Sequence, residues 1–234
     1  MRSRILFTLC FVSVLVGQAT FTAAEIIPSS MNGPRSVYLA DMDSDGDMDI
    51  VSASIFDNKI AWYKNDGTVN PSWTAADITT SANRPQSVFA ADMDNDGDMD
   101  IVSGGSNTIF WHENNGAANP SWTAADVSTS ADGVYSVYAA DMDNDGDMDI
   151  VSASSADNTI AWYENDGAAN PSWTAADIAT SADGARSVFA ADMDNDGDMD
   201  IVSASYNDDA IAWYENTMDK GILAGWTQAI IPSN

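Results

Sequence analysis

The sequence predicts an all-β fold, a β-propeller of four four-stranded blades, either closed on itself or left as an open array. Three observations predict it. The nine-residue string DMDSDGDMD begins at Asp41, and near-copies reading DMDNDGDMD begin at Asp92, Asp141 and Asp192, at spacings of 51, 49 and 51 residues. Each unit carries four short apolar segments, rich in β-branched and aromatic residues and bounded by Gly, Asn, Asp and Pro, a composition of strands rather than helices. A repeat of about 40 to 50 residues holding four strands is the signature of a propeller, because such a unit buries its apolar faces only against neighbouring units.

The repeats span residues 35–80, 84–130, 134–180 and 185–232. In the third, strands are expected over 136–140, 149–154, 159–164 and 173–180. The third strand ends where Asp66-Gly67, Asn115-Gly116 and Asp166-Gly167 tolerate the positive φ of a turn. Asn-Pro-Ser-Trp follows at Asn70, Asn119 and Asn170, where Pro lacks a donor and bars strand continuation. The fourth unit replaces this loop with residues 216–225, and its strand pattern resumes at Trp226. A two-residue deletion between Ser103 and Ile109 accounts for the short spacing and marks a loop. Residues 25–30 (EIIPSS) and 228–233 (QAIIPS) both resemble outer strands, giving five candidates for four blades. All eight Trp fall at two repeat positions: 62, 111, 162 and 213 in the third strand, and 73, 122, 173 and 226 opening the fourth. Large aromatics at a fixed place in every sheet are expected to pack neighbouring sheets together before they serve as a sugar-stacking surface.

With 36 Asp+Glu against 8 Lys+Arg, the formal net charge is -28. Such a field repels phosphate backbones and anionic membranes, excluding a nucleic-acid-binding role, while an apolar content of 45% is ample for a folded core. Residues 1–24 read as a secretory signal, with Arg2 and Arg4 as the basic region, an apolar run over 5–17, and small residues at Ala23 and Ala24. That run is shorter than the ~20 residues a membrane-spanning helix needs. No transmembrane span is expected after cleavage, and the product is expected to be secreted, extracellular or held at the cell surface. The single Cys, Cys10, lies inside the signal, so no thiol chemistry is expected of the exported chain.

Twenty of the 36 acids lie in the four strings. Each places Asp at positions 1, 3, 5, 7 and 9 and Gly at position 6. Alternating carboxylates on a tight loop converge on one hard cation, and the Gly permits the turn. The expected metal residues are Asp41, Asp43, Asp45, Asp47 and Asp49; Asp92, Asp94, Asp96, Asp98 and Asp100; Asp141, Asp143, Asp145, Asp147 and Asp149; and Asp192, Asp194, Asp196, Asp198 and Asp200. Position 7 is expected to offer its backbone carbonyl. An all-oxygen set on a flexible loop favours Ca²⁺ over Mg²⁺ and Zn²⁺, at about four sites. An EF-hand also begins D-x-D-x-D-G, but it needs a Glu at position 12, where Ser52, Ser103, Ser152 and Ser203 stand.

The run ADMDNDGDMDIVSAS, followed after a gap by IAWYENDG, resembles the FG-GAP/VCBS repeats of secreted bacterial proteins, related to the integrin α-subunit propeller. The resemblance covers residues 35–232. It implies that the acidic loop joins the first two strands of each blade and binds Ca²⁺ through the Asp residues named above. The family's Phe-Gly and Gly-Ala-Pro signatures are absent, which places the chain nearer the VCBS-like branch than the integrins, whose propellers have seven blades.

No enzyme constellation stands outside the repeat. The single His, His112, occupies the slot of Tyr63, Tyr163 and Tyr214, as a drifted strand position would, and every carboxylate cluster is accounted for by metal ligation. No catalytic activity is therefore expected. The expected function is a secreted calcium-binding module for adhesion or for an extracellular protein or glycan ligand. Unit-to-unit variation at residues 55–59, 106–108, 156–159 and 206–210 marks candidate contact loops. Two alternatives remain at this level: an accessory module of a larger secreted polysaccharide-active enzyme, and a structural surface or matrix protein.

Overall fold

The computed structural model describes residues 31–217 and 226–231. The expected signal over 1–24 and the strand candidate over 25–30 lie outside the described residues. Among those described there are sixteen strands and no helix. Sheet 1 comprises β1 (Pro34–Ala40), β2 (Asp49–Ser54), β3 (Lys59–Asn65) and β4 (Trp73–Thr79). Sheet 2 comprises β5 (Ser87–Ala91), β6 (Asp100–Gly104), β7 (Ile109–Asn114) and β8 (Trp122–Ser128). Sheet 3 comprises β9 (Val134–Ala140), β10 (Asp149–Ser154), β11 (Thr159–Asn165) and β12 (Trp173–Ala179). Sheet 4 comprises β13 (Ala185–Ala191), β14 (Asp200–Ser205), β15 (Ala210–Glu215) and β16 (Thr227–Ile231). Every sheet is an antiparallel meander in chain order.

Local chemistry sets the boundaries. β5 has five residues where β1, β9 and β13 have seven, and its partner β6 has five where β2, β10 and β14 have six, next to the two-residue deletion after Ser103. Each of β4, β8 and β12 begins at its Trp, directly after the Pro-Ser that breaks the chain.

The core lies between sheets, not within them. Ala40, Met42, Val51, Ile60 and Trp62 of sheet 1 meet Val88, Ala90 and Ile101 of sheet 2. Met93, Val102, Ile109 and Trp111 meet Val137, Ala139 and Ile150 of sheet 3. Met142, Val151, Ile160 and Trp162 meet Val188, Ala190 and Ile201 of sheet 4. One face of each sheet thus packs on the opposite face of the next, as repeat units that cannot bury an apolar face alone must do. The third-strand tryptophans Trp62, Trp111 and Trp162 are buried in these layers, as expected of packing residues. No core cluster joins sheet 4 to sheet 1 among the described residues, an arrangement compatible with an open array of four sheets. No helix among the described residues is long and apolar enough to cross a membrane.

Candidate metal centre

The acidic strings are the loops joining the first strand of each sheet to the second. In the first loop the Asp41 carboxylate accepts the N–H of Gly46 at 2.8 Å and that of Asp45 at 3.1 Å, while Asp45 accepts from the N–H of Asp47 at 3.1 Å. These bonds curl the loop over its own first residue. Asp92 accepts likewise from Asp96 and Gly97, and Asp141 from Asp145 and Gly146. The curl needs left-handed backbone twice: at position 4, with φ of 56° at Ser44 and 60–65° at Asn95, Asn144 and Asn195, and at the glycine, with φ of 92° at Gly46. Asn visits that region more readily than most residues, and Gly without penalty.

The curl brings three carboxylates together in every loop: Asp41, Asp43 and Asp45; Asp92, Asp94 and Asp96; Asp141, Asp143 and Asp145; Asp192, Asp194 and Asp196. In each triad one oxygen per residue lies within 4.8 Å of the others, close enough for one ion to touch all three. Desolvation, followed by the neighbouring carboxylates, pushes the pKa of Asp94 and Asp194 upward and that of Asp143 to about 6. These groups resist carrying their charges side by side. A hard divalent cation fits such a set, and Asp43 Oδ1 is buried with no hydrogen-bond partner, as an oxygen awaiting a ligand bond would be.

The other two positions are placed differently. The carboxylate of Asp47 lies against Gly67, so that a Cβ there would collide with it; Asp98 and Gly116, and Asp147 and Gly167, repeat the arrangement. These glycines, at φ 65–67°, dock the turn after the third strand on the acidic loop. Asp49 is fully buried at the head of β2 and accepts from Met42 N–H at 3.2 Å, Trp62 Nε1–H at 2.9 Å and Asn65 N–H at 2.7 Å. Asp100 takes the same three donors from Met93, Trp111 and Asn114. Three donors occupy most of the roughly four lone-pair sites of a carboxylate. Asp149 accepts from the Met142 and Asn165 N–H groups, and burial pushes Asp100 and Asp149 up to about 7 against the pull of their donors.

The first loop differs from the rest. Lys64 Nζ pairs with Asp43 and lies 3.0 Å from Asp45 Oδ2, lowering the Asp45 pKa and raising that of Lys64. The equivalent residues are Glu113, Glu164 and Glu215, and Glu113 and Glu164 add to the upward push on Asp94 and Asp143. Site 1 carries an internal cation, whereas the other sites carry a further acid.

His112 is buried with Nε2 2.9 Å from Ser103 Oγ, much as the Tyr214 hydroxyl stands 3.4 Å from Ser203 Oγ in sheet 4. Burial pulls its pKa down to about 4, so at neutral pH it is an uncharged strand residue. A further feature is an aromatic row along the first strands. Tyr38, Phe89, Tyr138 and Phe189 stack in sequence with centroids 4.5, 4.7 and 4.6 Å apart, all tilted. Tyr38, Phe89 and Tyr138 line an open groove of about 600 Å³ beside Asp92 and Asp141. The row was readable as one aromatic per repeat at a fixed position. Two of the four turns expected to vary, those after β6 and β10, meet a separate polar groove of about 400 Å³, lined by Ser106, Asn107 and Ala156 among others.

The sequence matches the FG-GAP-like repeat family over residues 41–103, 101–152 and 141–203. No curated protein matches significantly. Among solved structures, the fold is similar to an Agrocybe aegerita lectin that recognises non-reducing terminal N-acetylglucosamine, at TM-score 0.57 and 20% identity, covering 85% of this chain and 52% of the lectin. The chain thus spans about half the length of that relative. It also aligns with the V. cholerae biofilm matrix protein Bap1 at TM-score 0.37 and 20% identity, covering 79% of this chain and 38% of that one.

Proposed function

Because the chain belongs to the FG-GAP-like repeat family, we propose that it is an extracellular calcium-held β-sheet array that binds a protein or glycan rather than catalysing a reaction. The observation that carries this reading is the fourfold Asp triad. In each site Ca²⁺ would be held by the three triad carboxylates, with the position-7 carbonyl and the remaining lone pair of the position-9 carboxylate completing an oxygen shell. The ion would cancel the repulsion within each triad and fix the hairpin between the first two strands of each sheet, so that metal binding and folding reinforce one another.

The aromatic row is the proposed contact surface. Its groove has the volume of a small-molecule or sugar site, and its ring faces offer stacking that the buried tryptophans cannot. Carboxylates beside it supply acceptors for hydroxyl groups. The testing experiment is a glycan and matrix-protein panel probed in millimolar Ca²⁺ and again with chelator, with terminal N-acetylglucosamine among the first sugars. Binding that disappears with chelator and weakens at least tenfold in Tyr138→Ala is the expected result. Absence of binding across the panel with calcium present would contradict the ligand-binding reading.

A further inference from the structure

The three internal sheet-to-sheet interfaces share one bonding plan, and each end of the array carries one unused half of it. The N–H groups of Val88, Val137 and Val188 donate to Ser36, Ser87 and Ser136 Oγ of the preceding sheet at 3.2, 3.1 and 3.3 Å. The side-chain amides of Asn114, Asn165 and Asn216 donate to the Met42, Met93 and Met142 carbonyls of the preceding acidic loop at 2.9, 2.8 and 2.7 Å. Asn95 and Asn144 donate forward to Asp147 and Asp198 at 2.5 and 2.7 Å.

At the two ends no such pairing is made among the described residues. Val37 is 67% exposed, whereas Val88, Val137 and Val188 at the same repeat position are each 4% exposed. On the far side, Ile211 is 44% exposed where Ile60, Ile109 and Ile160 are at 0%, and Met193 is 51% exposed where Met42 and Met93 are at 1%. The open part of the sheet 1 face is its first-strand side, because Ala61 and Tyr63 on β3 are covered. Sheet 1 therefore presents the receiving half of the interface and sheet 4 the offering half. On the first-strand side the two are complementary by the pairing already made three times within the chain, and no core cluster brings them together among the described residues.

We propose that a second copy of this chain docks head to tail, its sheet 4 face packing on the first-strand side of sheet 1. The junction would pair Val37 N–H with Ser187 Oγ, Asn65 Nδ2 with the Met193 carbonyl and Asn195 with Asp47, and would place Phe189 on Tyr38 to continue the aromatic row. It is a heterologous contact, the kind that closes into a ring or extends into a filament according to its rotation. It does not depend on the calcium reading, since none of its apolar contacts is a metal ligand. The acidic loops near the junction oppose association at low ionic strength, a repulsion screened beyond about 8 Å in physiological salt.

The test is the solution mass of the full chain, by light scattering or sedimentation across a concentration series in physiological salt with calcium, for wild type, Val37→Asp and Ile211→Asp. Both positions are exposed, and matching circular dichroism melts would verify that both variants fold. Wild type is expected at twice the chain mass or more, and each variant alone at the mass of one chain. An equimolar mixture of the two variants should return to twice the chain mass, because the intact sheet 4 of Val37→Asp meets the intact sheet 1 of Ile211→Asp. Wild type remaining at one chain mass would overturn the proposal, leaving the faces to residues of the same chain. Continued self-association of either variant would overturn it too, since like faces would then be meeting.

Discussion

Within each acidic loop, a single side chain decides how strongly the triad needs a cation. Lys64 already neutralises part of site 1, whereas Glu113 and Glu164 add charge near sites 2 and 3. Calcium titrations are therefore expected to resolve a weaker site, and Lys64→Glu should strengthen it several-fold toward the others, within the ~10⁻⁴ to 10⁻³ M range of extracellular modules. An unchanged binding curve in Lys64→Glu would show that the lysine does not compete with the ion. Gly116 carries a second residue-scale prediction. Ala there meets both a positive φ and the Asp98 carboxylate, so Gly116→Ala should cost at least the ~1 kcal/mol of a left-handed non-glycine residue and should weaken calcium at site 2. A chemical denaturation curve and a titration of the same variant check both. The triads were legible in the sequence because Asp alternates in all four loops. The burial of Asp49 and Asp100 under three donors was not, since alternation alone cannot separate a residue in the loop from one at the head of the next strand.

Strands and interfaces follow from apolar spacing and from breakers. The expected third-repeat strands match the observed ones to within two residues, because Asp-Gly, Asn-Pro and the acidic string leave the chain few other places to start and stop. Register and partner were less legible. Which face of a sheet meets the previous unit depends on the Val and Ala of the first strand and the Ile of the second, and no single repeat shows this. The inter-sheet asparagines carried a visible signal, one Asn at the end of each third strand, whose meaning required the structure. Trp162 is buried between sheets 3 and 4, so Trp162→Ala should cost about 3–5 kcal/mol. Asn165→Ala removes bonds to Met93 and Met148 carbonyls at 2.8 and 3.0 Å and should cost about 1–3 kcal/mol through the buried acceptors left behind. Equilibrium unfolding in denaturant checks both, and an Asn165→Ala variant as stable as wild type would remove the asparagine from the account of sheet stacking.

Across the whole molecule, a net charge of -28 makes stability a question of pH and metal together. Asp100 and Asp149 have folded-state pKa values raised from an ordinary 3.8 to about 7. Their stabilising share is therefore complete below the ordinary value and is lost as the pH rises toward 7. Metal-free protein should accordingly melt at a lower temperature at pH 8 than at pH 5, with mutual repulsion of the loops acting in the same direction. Calcium should flatten or reverse that trend by neutralising the triads, and melts at both pH values with calcium or chelator distinguish the cases. The central claim, that four acidic loops hold calcium and thereby hold the fold, is tested most directly by calorimetric titration of Ca²⁺ into chelator-treated protein, with a Mg²⁺ control and a parallel thermal melt. The account predicts about four Ca²⁺ per chain, one of them weaker, with a melting temperature that rises as the sites fill. No heat of binding and an unchanged melt would contradict it.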